Sequence, residues 1–210
     1  MRIAVTSNEM ARQMERHRAW VAAGGSEDRR DQEGRLVILD ARIGPVEISD
    51  ATFSSAVLAR CDLSGSSFVR CDFSAARLFD GIFHGCKFLE CEFRKAEMNA
   101  ADCAEASFLR CNMTRVDFSQ ANLQGATLDG SDLGWSWLTD ADLRHASLED
   151  VNLDGARLSG TKLYNARRFR LRPLTRIDVR DVYVDEDAVG PPRSGSEALA
   201  FLKAGGLPAD

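Results

Sequence analysis

Every fifth residue from Ile38 to Leu163 is apolar, and the frame never slips. The positions run Ile38, Ile43, Ile48, Phe53, Leu58, Leu63, Phe68, Phe73, Leu78, Phe83, Phe88, Phe93, Met98, Cys103, Phe108, Met113 and Phe118, then leucine at every fifth place from Leu123 to Leu163. An α-helix turns about 100° per residue, so five residues overshoot a full turn by roughly 140° and the apolar positions would spiral around it. A straight strand alternates its side chains, so an odd period would flip each apolar residue to the opposite face. The pattern requires a chain that turns a corner within every five-residue unit. A second column, two residues earlier, is mostly small: Ala56, Cys61, Ser66, Cys71, Ala76, Gly81, Cys86, and on through Ala141, Ala146 and Ala156. A spacing of two puts both columns on one side of a short extended segment. Large and small residues then point inward together, and the other three positions of each unit, such as Asp62, Ser64 and Gly65, face water.

The units read A-D/N-L-x-x, as in Ala121-Asn122-Leu123, Ala141-Asp142-Leu143, Cys61-Asp62-Leu63 and Cys71-Asp72-Phe73. This resembles the pentapeptide-repeat family, and internal repeats outrank other signals in reading a fold. The resemblance implies an all-β, right-handed quadrilateral β-helix with four units per coil, so that every twentieth residue stacks. The 26 units then make about 6.5 coils in a rod roughly 30 Å long, at an inter-strand spacing of about 4.8 Å. The expected division is an N-terminal capping helix and connector (1–35), the repeat β-helix (36–166) and a C-terminal cap or dimerisation tail (167–210).

The ends carry different signals. Thr6 and Glu9 stand at capping-box spacing, Met10, Met14, His17 and Val21 follow at helical spacing, and Gly24-Gly25 should stop the helix. Such a helix would cover the open first coil, whose backbone edge is otherwise unpaired. After Asn165 the frame breaks, and Ile177 to Val184 reads as an alternating strand. Glu197 to Lys203 reads as a short helix. This tail is similar to that of the quinolone-resistance members of the family through Val182-Tyr183-Val184-Asp185 and Ala198-Leu199-Ala200-Phe201-Leu202. The resemblance implies a cap or homodimer contact made by Val182, Val184, Leu199, Phe201 and Leu202.

Charge changes the picture along the rod rather than in total. The net charge is −5. Between Asp117 and Asp154, however, the acids Asp117, Asp129, Asp132, Asp140, Asp142, Glu149, Asp150 and Asp154 face one base, Arg144. Trp137 stands at an outward position inside this stretch, and Trp135 stands near a corner. An interval of twenty also aligns Arg70, Glu90 and Arg110 with alternating sign, places Arg115 above Trp135 for a cation–π contact, and makes Val69, Leu89 and Leu109 an apolar exterior strip. Five of the six cysteines fall in the small inward column and Cys103 in the large one. They read as small buried hydrophobes rather than a metal site, with Cys71, Cys91 and Cys111 one above another.

No nucleophile–base pair, metal-ligand spacing or phosphate-cradling glycine loop is present, and His17, His84 and His145 are isolated. The sequence therefore points to a non-catalytic protein-binding solenoid without cofactor or metal. No apolar run marks a signal peptide or membrane span, so a cytoplasmic location is expected. The resemblance names a specific role: a DNA mimic that binds DNA gyrase or topoisomerase IV and protects it from topoisomerase poisons. The acidic residues Asp117, Asp129, Asp132, Asp140, Asp142, Glu149 and Asp150, with Trp137, would form the binding face, and no direct nucleic-acid contact is implied. The alternative is a scaffold or adaptor docking through the N-terminal helix and the Val69, Leu89 and Leu109 strip.

Overall fold

A computed structural model describes residues 3–4, 7–24, 34–170, 176–184, 192–193 and 195–203. Parallel bridges join residues twenty apart from one end of the repeat to the other: Arg42 to Asp62, Asp62 to Ile82, Ile82 to Asp102, and so on to Asp142 with Lys162. The chain therefore winds as a solenoid with four pairing positions per coil. Its faces are named here by their central residues. Face 1 holds Leu63, Phe83, Cys103, Leu123, Leu143 and Leu163. Face 2 holds Phe68, Phe88, Phe108, Leu128 and Leu148. Face 3 holds Phe53, Phe73, Phe93, Met113, Leu133 and Leu153, and face 4 holds Leu58, Leu78, Met98, Phe118, Leu138 and Leu158. All of these side chains are buried.

The units of faces 1, 3 and 4 turn their corners by the same chemistry. The residue two places after the central one has a positive φ, for example Arg60 (56°), Lys95 (62°) and Trp135 (61°). The N–H of the following small residue then donates to the central carbonyl, as Ala56 does to Phe53 at 2.8 Å and Ala126 to Leu123 at 3.0 Å. A four-residue turn with positive φ at its third residue is the type II geometry. The residue before the central one closes the corner with its side chain. Oδ1 of Asp62, Asp72, Asp102, Asn112, Asp117, Asn122, Asp132, Asp142 and Asn152 accepts the backbone N–H two residues on. A short carboxylate or amide reaches that N–H, which is why the unit prefers Asp or Asn there.

Face 2 differs. Its central residues, Leu128 excepted, lie in the three-residue strands β3 (Glu47–Ser49), β4 (Ser67–Val69), β5 (Lys87–Leu89) and β6 (Ser107–Leu109), which pair in parallel, and in β7 (Ser147–Glu149) further on. At its corner the N–H of Cys71 meets Sγ of Cys91 at 3.4 Å, and that of Cys111 meets Oγ of Ser131 at 2.9 Å. Inside, phenylalanines stack along two faces at the coil spacing. Phe53–Phe73 (4.6 Å) and Phe73–Phe93 (4.9 Å) run along face 3, and Phe68–Phe88 (5.2 Å) and Phe88–Phe108 (4.8 Å) along face 2. Edge-to-face contacts such as Phe68–Phe73 join the two columns.

At the N-terminal end, β1 (Ile3–Ala4) pairs in parallel with β2 (Ala41–Arg42), which itself bridges to Asp62. Helix α1 (Ser7–Ala22) buries Met10, His17 and Trp20. The chain leaves it through Gly24 at φ 85°. Thr6 and Gly25 lie outside the described residues, as does most of the charged connector.

The C-terminal end departs from the reading of a strand over Ile177–Val184. The strand lies earlier, at β8 (Arg167–Arg170), paired with β7 through a register shift. Beyond it the solenoid resumes. Asp178 bridges to Arg157 and Tyr183 to Lys162, twenty-one residues on instead of twenty. Val179 and Val184 are buried central residues, Val182 is the small-column residue, and Asp181 turns the corner at φ 54°. The apolar residues that looked like alternation are two inward columns, spaced two, three and two. Val182 then pairs antiparallel with Arg193, and α2 (Gly195–Lys203) buries Ala198 and Leu202 in the same core.

Candidate functional site

The acids expected to make one binding face are distributed around the whole rod. Asp142 lies on face 1, Asp129, Glu149 and Asp150 on face 2, Asp132 on face 3, and Asp117, Trp137 and Asp140 on face 4. The cause is arithmetic: side chains share a column only when their numbers differ by twenty, and among these acids only Asp129 and Glu149 do. Asp140 and Asp150 differ by ten, half a coil, so they occupy diagonally opposite corners; both are exposed.

Several of these carboxylates are already engaged. Asp117 and Asp132 accept the turn N–H groups of Ser119 and Gly134. Asp132 also accepts from Asn152 Nδ2 at 2.9 Å. Asp129 accepts from Ser147 Oγ at 2.7 Å and from the Glu149 backbone at 3.0 Å. Asp142 accepts a two-pronged contact from Arg144, with 2.6 Å at the closer nitrogen. Burial alone would raise the Asp142 carboxyl, but hydrogen bonds and charge from Arg144 outweigh it and hold the group below its ordinary value. These bonds hold the four carboxylates at fixed positions.

The ladders form as coil neighbours. Arg60 pairs with Asp40 (2.6 Å), Arg70 with Asp50 (2.7 Å) and Arg110 with Glu90 (2.9 Å), each along one corner. Val69, Leu89 and Leu109 stand in one line on face 2 and are half-buried. The cation–π contact is Arg157 over Trp137, 5.9 Å to the ring centroid, and not Arg115 over Trp135. Trp135 instead lies on Gly155, where a Cβ would sit 2.5 Å from the ring. Trp135 and Trp137 remain 48% and 36% exposed, the largest aromatic surface on the rod among the described residues.

Val182, Val184 and Leu202 of the tail are buried in the protomer's own core, with Leu199 packed beside them. The Phe201 side chain lies outside the described residues. All six cysteines are free and buried. The neighbouring Cys111 thiol, then burial, push Cys91 up to about 12, and burial pushes Cys86 up to about 11. Among the described residues no group of His, Cys, Asp and Glu is disposed to hold a metal ion, and no helix is long and apolar enough to cross a membrane.

A parallel β-solenoid of five-residue units, four to a coil, with Asp or Asn closing many of its corners, defines a repeat protein with an apolar inside and a polar outside. Family models described as "Pentapeptide repeats (8 copies)" and "Pentapeptide repeat region" match residues 47–85 and 81–158. The chain belongs to the pentapeptide repeat family. Among solved structures it is similar to a trypsin-treated form of QnrB1, a plasmid-mediated fluoroquinolone resistance protein, at 17% identity over 72% of this chain and 91% of that one (TM-score 0.49). It is also similar to HetL, a pentapeptide repeat protein involved in heterocyst differentiation regulation in Nostoc sp. strain PCC 7120, at 20% identity over 85% and 88% (TM-score 0.32). A third is a pentapeptide repeat protein of the Arabidopsis thaliana thylakoid lumen, at 25% identity over 62% and 69% (TM-score 0.27). No curated protein matches the chain.

Proposed function

We propose that this protein is a non-catalytic, protein-binding rod that mimics duplex DNA and engages the DNA-binding cleft of a type II topoisomerase, DNA gyrase or topoisomerase IV, protecting it from topoisomerase poisons. The observation that carries the reading is the placement of the acids between Asp117 and Asp154. They surround the rod on all four faces and at opposite corners, and a single base accompanies them. A duplex is also negative all round, and a cleft lined with Lys and Arg responds to such a field at long range. The turns, Ser147 and Arg144 fix the carboxylates of Asp117, Asp129, Asp132 and Asp142 in place, so little order is lost there on binding.

The same reading assigns residues 1–35 to an N-terminal cap, 36–166 to a right-handed repeat helix of about 6.5 coils, and 167–210 to a tail that begins with the resumed coil. It places the protein in the cytoplasm. A supercoiling assay with purified gyrase and topoisomerase IV, with and without a poison, tests it. Inhibition by the protein alone, or rescue from the poison, is the result the reading requires. Loss of that effect in Asp140→Lys/Asp150→Lys ties it to the charge, because both residues are exposed. No effect on either enzyme rejects it.

A second reading rests on the line of Val69, Leu89 and Leu109 on face 2, with α1 at the end of the rod. Here the protein is a scaffold or adaptor, and charge reversal at Asp140 and Asp150 leaves its binding intact.

A further inference from the structure

Face 4 carries a self-complementary column. Parallel bridges join Arg77 to Glu97, Glu97 to Asp117, Asp117 to Trp137, Trp137 to Arg157 and Arg157 to Asp178. Along the chain the order is plus, minus, minus, indole, plus, minus. In reverse it is minus, plus, indole, minus, minus, plus. Laid against itself in the opposite direction, this column sets unlike charges together at its two outer pairs of levels and Asp117 against Trp137 in the middle.

We propose that a second copy of this chain docks antiparallel on face 4, about a two-fold axis crossing the face between the levels of Asp117 and Trp137. Such an axis reverses the direction of the rod but sets each column against itself, as an isologous contact must. Arg77 then meets Asp178 of the second copy, and Glu97 meets its Arg157. The neighbouring columns agree. Arg94 meets Asp154, and Arg115 meets Trp135, where a guanidinium over an indole is favourable. The centre of the face is flat, because its outer column is Asn99, Ser119, Thr139 and Ser159. Two like-charge approaches remain, Asp80 to Asp181 and Arg77 to the Arg180 that holds Asp178 in its own chain, at the ends of the contact, where solvent screens them.

Three features point to association. Arg94, Lys95 and Arg115 have no ion pair with any described residue, whereas Arg60, Arg70 and Arg110 each have one along their own corner. The exposed rings of Trp135 and Trp137 are held in place, one on Gly155 and one under Arg157, so docking costs them little rotamer freedom. Exposed Trp and Arg are also the residues that most often carry interface energy. The contact spans six coil levels, roughly 25 Å, on one narrow face. It falls short of the ~800 Å² per partner of a standard complex, so the dimer is weak and salt-sensitive.

The test is sedimentation velocity of the full chain from micromolar to millimolar concentration at low and high salt. The wild type should dimerise with rising concentration and revert with salt. Glu97→Arg and Arg157→Glu should each sediment as monomers. Mixed one to one they should dimerise again, because one contact of the mixed pair is the native Glu97–Arg157 pair and the other re-forms with swapped sign. The two residues are exposed and three coils apart in one chain, so the restoration reports contact between chains. Circular dichroism and melting confirm that each variant is folded. A wild type that stays monomeric at every concentration overturns the proposal. So does a dimer indifferent to both substitutions, which places the contact elsewhere, or a mixture that stays monomeric.

Discussion

The backbone N–H of Leu36 donates to Nδ1 of His17 across 3.1 Å, tying the first residue of the solenoid core to helix α1. The imidazole is fully buried and can accept that bond only while Nδ1 is unprotonated. Burial, then the nearby charge of Arg35, holds the His17 pKa below its ordinary value of 6.5. Well above about pH 6.5 the ring is neutral in the folded and unfolded states alike, and stability does not change with pH on its account. Below that pH the unfolded chain takes up the proton first, so stability falls as pH falls. Melting temperature should decline from pH 7 to pH 5, with Trp20 emission reporting the loosening of α1. In His17→Gln, which keeps an acceptor but does not titrate, the decline should be shallower.

Phe73 is held between Phe53 and Phe93 in the face 3 stack and is fully buried. Phe73→Ala removes the ring from a column whose coils cannot close over the gap. It should cost about 3–5 kcal/mol. Phe73→Leu, which imitates the leucine column beyond Leu123, should cost less. Denaturant unfolding of the two variants measures the difference.

The corner bond from Ser74 N–H to Asp72 Oδ1 is 2.8 Å long. Asp72→Ala should lose about 1 kcal/mol, the typical worth of such a bond. Asp72→Asn keeps the acceptor and should be close to neutral, which is the alternation seen along the repeat. Equal losses in both variants would mean that charge and not the turn bond selects the residue.

Gly155 has φ 74° and lies under the Trp135 ring, whereas Gly85 has φ 61° with open space around it. Gly85→Ala should cost about 1–2 kcal/mol for its left-handed backbone alone. Gly155→Ala adds a clash with the indole, so it should cost more and change Trp135 fluorescence. Thermal melts and emission spectra of the pair separate the two effects.

The cysteines should be chemically silent in the native state. All six are buried, and those whose pKa is shifted are pushed upward, so neither access nor thiolate is provided. A disulfide-exchange reagent at pH 8 should modify few of them in folded protein and all six in guanidinium. Rapid modification of native protein would show that the coils open locally.

The solenoid was legible from the sequence because its signal repeats in every unit: the large and small columns and the acid that closes each corner. Of the central residues from Ile38 to Leu163, Ile48 alone is half-buried. The resumed coil at Ile177–Val184 was not legible. One extra residue moves its frame from twenty to twenty-one, and two inward columns spaced by two resemble a strand over so short a stretch. The acidic stretch was legible as composition but not as a face. A run in sequence winds around the rod, while a surface column needs residues twenty apart. Read that way, the column Arg77, Glu97, Asp117, Trp137 and Arg157 was visible in the chain, although nothing local marks it. The orientation of Trp135 depended on a glycine twenty residues later.

The central claim is that the rod takes the place of DNA on a topoisomerase. The most direct measurement is competition: a fluorescently labelled duplex bound to gyrase or topoisomerase IV, titrated with this protein and followed by anisotropy. The account predicts displacement of the duplex, weakened by salt and lost in Asp140→Lys/Asp150→Lys. A duplex that stays bound at every concentration of folded protein, on both enzymes, would contradict it.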